Sequence, residues 1–89
     1  METDFKKKVL KIVSKIPKGQ VMTYGEVAGK AGNSKASRAV GAIMKQNYNP
    51  KVPCHRVVAS HGKLGGYNRG VENKVKILRE EGVEMLLTN

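Results

Sequence analysis

Eighty-nine residues make one small domain with a modest core. With 39% hydrophobic residues the chain is globular rather than disordered, and seventeen Lys and Arg against seven Asp and Glu leave a net charge of +10. That field favours polyanions, nucleic acid first. No stretch is apolar enough to span a membrane, no signal peptide precedes the first helical pattern, and one free Cys fits a reducing cytoplasm.

The elements follow in chain order. Asp4 to Ile16 carries apolar residues at helical spacing (Phe5, Val9, Ile12, Val13, Ile16) with lysines opposite, which predicts an amphipathic helix capped by Thr3 or Asp4 and ended by Pro17 and Gly19. A short extended piece, Gln20-Val21-Met22, leads into Thr23-Tyr24-Gly25-Glu26, which has capping-box spacing. The helix it opens runs to about Ala31, with Gly32 suited to its C-terminal cap. A second helix starts from Asn33 or Ser34 and buries Ala36, Ala39, Val40, Ile43 and Met44. Two short helices across a Gly-containing turn form a helix-turn-helix. The outer face of the second then carries Lys35, Ser37, Arg38, Gly41 and Lys45, with small residues allowing close approach to a nucleic-acid backbone.

Gln46 to Pro53 reads as loop. Val57-Val58-Ala59, a turn at Ser60 to Lys63 and the Gly-rich Leu64 to Tyr67 predict a small hairpin or wing. Val71 to Glu81 is the last helix, with Val71, Val75 and Leu78 on its buried side and Gly82 as its stop. The fold class is therefore mainly α: a winged helix-turn-helix-like bundle with a short β wing, in a single domain over 1–89.

The chemistry centres on Cys54, in Pro53-Cys54-His55-Arg56-Val57-Val58. A lone thiol has no disulfide partner within the chain, and one Cys beside one His is too few ligands for a structural zinc site, so no metal and no cofactor is expected. A thiolate is the reactive form, and basic neighbours favour it. Cys54 beside His55 thus suggests nucleophilic catalysis, with His as base or as counter-charge to the thiolate. His61, in a turn, reads as a solvated loop residue.

The Pro53-to-Val58 run, with Gly65-Gly66-Tyr67 after it and Ser37-Arg38-Ala39-Val40-Gly41 before it, resembles the DNA-binding domain of the O6-alkylguanine-DNA alkyltransferases. The resemblance extends from about Asp4 to Gly82, without the N-terminal domain that many members carry or any zinc site housed there. It implies that Cys54 accepts an alkyl group irreversibly from O6 of guanine. His55 would relay the thiol proton through water, and Glu81 would orient that His. Asn47, or Asn49 in its place, would brace the Cys loop, and Tyr67 would donate a proton to a ring nitrogen as guanine departs. Tyr24 would press on the 3′ phosphate, and Arg38 would enter the stack in place of the extruded nucleotide. Thr23, Ser37, Gly41 and Lys45 complete the DNA-facing set, and Val58, Asn68 and Arg69 surround the alkyl pocket. A bulky cation at Arg69, where many members have Gly, would narrow that pocket. The implied partner is double-stranded DNA bearing O6-alkylguanine, met in the minor groove by a monomer with little sequence preference. Two rivals differ in class: an alkyltransferase-like protein that flips the lesion without removing the alkyl group, and a plain winged-helix regulator with an incidental thiol. Those alkyltransferase-like proteins usually replace the acceptor Cys, so Cys54 favours the enzyme.

Overall fold

The structure, a computed structural model, describes residues 2–60 and 63–83, with side chains from Asp4 onward. His61 and the tail from residue 84 lie outside the described residues. Four helices surround a two-strand sheet: α1 (Glu2–Ser14), β1 (Met22–Thr23), α2 (Tyr24–Lys30), α3 (Ser37–Gln46), a 3₁₀ turn (Cys54–Arg56), β2 (Val57–Val58) and α4 (Val71–Glu80). None of these helices is long and apolar enough to cross a membrane.

α1 begins before both expected caps, which puts Asp4 in its first turn, where a carboxylate favours the positive end of the helix dipole. It also stops earlier than Ile16. The amides of Lys15 and Ile16 reach back three residues, to the carbonyls of Ile12 and Val13, so the final turn tightens before Pro17. Val9, Val13 and Ile16 face inward and pack with Val27, Ala28 and Val40 from α2 and α3. Burial of each such valine stabilises the domain by about 1.5–3 kcal/mol relative to exposure.

The capping box forms as read. Thr23 Oγ1 accepts from the Glu26 amide at 3.0 Å, and the Thr23 amide donates to Glu26 Oε1 at 2.9 Å. α2 ends in a Schellman turn, with Gly32 at φ 99° and the Asn33 amide donating to the Ala28 carbonyl. Asn33 is thereby consumed by the turn, and its side chain accepts from the Lys35 amide. α3 consequently starts at Ser37, with Ala36 at its N-cap and no side-chain cap, rather than at Asn33 or Ser34. Within α3, Ala39 falls off the inward face and is exposed, while Val40 and Met44, four residues apart, carry the buried face.

The sheet differs from the expected hairpin. β1 and β2 pair in parallel, Met22 with Val57 and Thr23 with Val58, across the whole α2–α3 unit. Leu64 to Tyr67 forms no strand, because its carbonyls at Leu64 and Gly66 are taken by the Lys74 ammonium instead of a neighbouring strand. Behind this segment a second small core gathers Val58, Leu64, Leu78 and Val83. α4 closes the fold with its own Schellman turn. Gly82 has φ 85°, the Val83 amide donates to the Leu78 carbonyl, and those two side chains pack together.

Candidate active site

Six chain segments converge on one cavity of about 620 Å³. α2 contributes Tyr24, α3 contributes Gly41, Met44 and Lys45, the loop after it Tyr48, the 3₁₀ turn Cys54, the loop before α4 Gly66, Tyr67 and Asn68, and α4 Val71. Cys54 is only 7% exposed, at the base of this space. Its position follows from Pro53, which opens the 3₁₀ turn, and from its own amide, which donates to the Val52 carbonyl at 2.8 Å. Asn47 Nδ2 reaches the same carbonyl at 3.5 Å, whereas the Asn49 side chain is spent locally on the Lys51 amide. Of the two asparagines, Asn47 is the one attached to the Cys loop.

Beside the thiol, His55 Nε2 lies 3.0 Å from Glu81 Oε2. With Nε2 committed to the carboxylate, Nδ1 is the ring nitrogen left to exchange protons elsewhere. Glu81 occupies the C-cap of α4, delivered there by the turn at Gly82. Arg56 grips the same carboxylate with two bonds, Nε to Oε1 at 3.0 Å and Nη2 to Oε2 at 2.7 Å. The bidentate guanidinium is the main force holding the Glu81 carboxyl below its ordinary range; burial opposes it, and the hydrogen bond from His55 adds to it. The carboxylate therefore stays charged and fixed, as an orienter of imidazole must.

Below the cavity sits a residue to which the sequence reading gave no role. Lys74 is fully buried, and its ammonium donates to the carbonyls of Val57 (2.8 Å), Leu64 (2.6 Å) and Gly66 (3.1 Å). It also lies 5.9 Å from the centre of the Tyr24 ring. Burial pulls its pKa down to about 8, against the opposing pull of the Cys54 charge. Its signal was present in the sequence, since residues 71, 74, 75 and 78 share one helical face. Tyr24 packs directly under the Gly-rich loop: a Cβ at Gly65 (φ +71°) would come within 2.8 Å of its ring. Burial, and secondarily the Cys54 charge, raise the pKa of the Tyr24 hydroxyl, and the same two causes in the same order act on Tyr67.

The predicted residues divide clearly. Cys54, Tyr24, Tyr67, Asn68, Gly41 and Lys45 line the cavity together, and His55 and Glu81 form their pair. Val58 does not face the cavity: it is 1% exposed and belongs to the second core, because β2 turns it away from Cys54. Arg69 does not narrow the cavity either. It is absent from the lining and lines a neighbouring depression, with its Nη2 donating to the Tyr48 carbonyl at 2.9 Å. Asn68 Nδ2 spreads over the carbonyls of Met44, Lys45 and Asn47 at the end of α3, and its Oδ1 is buried without a hydrogen-bond partner. Arg38 stands exposed on α3 and makes no ion pair among the described residues; Ser37 is half-buried in the first turn, and the Thr23 oxygen is engaged by the capping box. Among the described residues no group of three His, Cys, Asp or Glu side chains is placed to hold a metal ion.

Residues 4–83 match the family described as 6-O-methylguanine DNA methyltransferase, DNA binding domain. The methylated-DNA–protein-cysteine methyltransferase of Methanothermobacter thermautotrophicus is 45% identical over 83 residues, which are 93% of this chain and 47% of that protein. Its Shigella flexneri counterpart is 45% identical over 85 residues, covering 94% of this chain and 50% of that one. The chain thus spans about half the length of these curated relatives. Among solved structures, S. pombe Atl1 in complex with damaged DNA containing O6-carboxymethylguanine superposes with a TM-score of 0.84 at 39% identity, over 92% of this chain and 79% of that one. Mycobacterium tuberculosis OGT in complex with DNA also gives 0.84, at 41% identity over 89% of this chain and 49% of that one. With most of its length matched and its fold shared, the chain belongs to the 6-O-methylguanine DNA methyltransferase family, whose DNA-binding domain it carries.

Proposed function

We propose that this domain repairs duplex DNA by moving an alkyl group from O6 of guanine to Cys54 Sγ in a single, irreversible displacement. The observation that carries the reading is a nearly buried thiol at the base of a nucleobase-sized cavity, next to an imidazole fixed 3.0 Å from a carboxylate. The S–C bond forms as the C–O6 bond breaks. The thiol proton passes to His55, through water, and Glu81 balances the imidazolium that results. The departing guanine takes a proton from Tyr67 at the cavity wall.

The lesion has to leave the stack, because a sulfur at this depth is out of reach of a base inside the duplex. In this reading Arg38, exposed on α3 and without an ion pair among the described residues, fills the gap from the minor groove, and Tyr24 presses on the neighbouring phosphate. Contacts to phosphates then supply most of the affinity, with little sequence preference.

Incubation with duplex carrying O6-methylguanine is expected to add one methyl group to Cys54, read by peptide mass spectrometry, with no second turnover. An unmodified Cys54 together with tight binding of that duplex would instead establish lesion recognition without transfer. The similarity to Atl1 bound to O6-carboxymethylguanine DNA gives that second reading its support. Arg38→Ala is expected to slow methyl transfer from duplex about tenfold, the effect of losing one positioned group worth ~1.4 kcal/mol, and to leave transfer from the free alkylated base nearly unchanged. Equal losses on both substrates would remove Arg38 from base extrusion.

A further inference from the structure

Tyr48 is the one large hydrophobic side chain that stands exposed among the described residues, at 61%, and it lines the Cys54 cavity. Nothing in the relay or the extrusion step uses it. Its ring sits under the Arg69 guanidinium, whose central carbon is 5.8 Å from the ring centre, while Arg69 Nη2 donates to the Tyr48 carbonyl. The preceding residue, Asn68, is pinned to three carbonyls at the end of α3, so the backbone at 68–69 has little freedom and only the Arg69 side chain can choose a direction. It lies outward, over Tyr48 and beside Asn73, Lys76 and the Tyr67 ring; that ring also walls the Cys54 cavity, so a turn of the side chain across it would bring the guanidinium to the cavity. Arg69 is already close enough to the Tyr67 hydroxyl to work against the upward shift that burial imposes on it.

We infer that Tyr48 is a specificity-determining residue: by holding Arg69 outside, it keeps the Cys54 cavity open to adducts larger than methyl. This rests on the cavity being the alkylguanine site. A cation packed on an exposed aromatic ring is favoured by about two- to fivefold over its released state. Release would place a guanidinium where a bulky alkyl group has to lie, while methyl still fits.

The test measures binding rather than transfer, in a Cys54→Ala background. Affinities are compared for two duplexes that carry O6-benzylguanine or O6-methylguanine at the same position. Tyr48→Ala is expected to lower the benzyl-to-methyl affinity ratio about 1.5-fold, as the open fraction falls, Tyr48→Phe to preserve it, and Tyr48→Ala with Arg69→Gly to restore it. A ratio unmoved by Tyr48→Ala overturns the inference, and so does a fall that Arg69→Gly leaves unrepaired, which would assign the effect to the ring itself. Absence of methyl transfer by the unsubstituted protein sinks the repair reading alone, since the binding ratio stays readable. Binding of neither lesion above unmodified duplex overturns both.

Discussion

Lys74→Met is expected to lower the unfolding free energy by about 3 kcal/mol, the net of leaving buried carbonyls unpaired and relieving the buried charge. Methionine fills most of the lysine volume, so the loss is not one of packing. The carbonyls of Val57 and Leu64 lose their donor in a place that water does not reach, since Lys74 is 0% exposed, while the Gly66 carbonyl, at the cavity wall, keeps the Tyr24 hydroxyl at 3.4 Å. In urea, with a slope of about 1.5 kcal/mol/M for a domain of this size, the midpoint should fall by about 2 M. A fall below about 0.5 M would mean that the three bonds contribute little. The pH dependence gives a second reading. The folded pKa of about 8 lies below the ordinary 10.5. Between those values the unfolded chain binds a proton that the native protein has given up, so the stability contributed at this position rises with pH. Tyr24 and Tyr67, both held above their ordinary 10.0, act in the opposite sense only above that value. The stability gap between the parent and Lys74→Met should therefore widen from pH 8 to pH 9.5, and a constant gap would contradict the shift.

Arg56→Ala should cost about 3 kcal/mol, because it removes one partner of a largely buried pair and leaves the other charged. The side chains of Arg56 and Glu81 are 16% and 10% exposed, so solvent screens them poorly. Glu81→Gln should cost less, since the amide keeps the shape and accepts one bond. Combined, the two substitutions are expected to cost at least 1 kcal/mol less than their sum, as members of one network do. Strict additivity would show that the pair does not act as a unit. Glu81 also sets the acid limb of stability. Its folded pKa is depressed, so its contribution is complete above the ordinary 4.5 and is lost as pH falls through the folded value. Glu81→Gln should flatten the fall in stability below pH 4.5.

Local chemistry explains which features could be read from the chain. Thr23 and Glu26 satisfy one another through the backbone, and the turns at Gly32 and Gly82 depend on the next residue or two, so the boundaries of α2 and the end of α4 were legible. The start of α3 was not, because Asn33 served the turn before it rather than the helix after it. The wing failed for a non-local reason: Val57 and Val58 found their neighbours at Met22 and Thr23, and a lysine from α4 took the carbonyls of the other half. In the site, Cys54 beside His55 was legible from residue chemistry, and the Tyr67 segment only through the resemblance of Gly65-Gly66-Tyr67 to the family's motif. Arg56 and Lys74 did not. A charged residue reads as surface until the structure shows which carboxylate or carbonyls receive it, although the helical face of Lys74 already disagreed with that assumption. Arg69 was misread for the same reason, since its direction is decided by an aromatic ring 21 residues away.

One side chain, Arg56, links the turn after the first helix to the cap of the last: Nη1 donates to the Ile16 carbonyl at 2.8 Å, and the rest of the guanidinium holds Glu81. Those partners lie 40 residues before it and 25 after it. During synthesis the cysteine and its histidine emerge well ahead of the acid that will fix them, and Glu81 is among the last of the described residues to be made. A growing chain therefore carries Cys54 beside an imidazole that nothing orients. The relay exists only once α4 has docked on the Cys54–Arg56 turn, which ties the assembly of the nucleophile's neighbours to the last helix described.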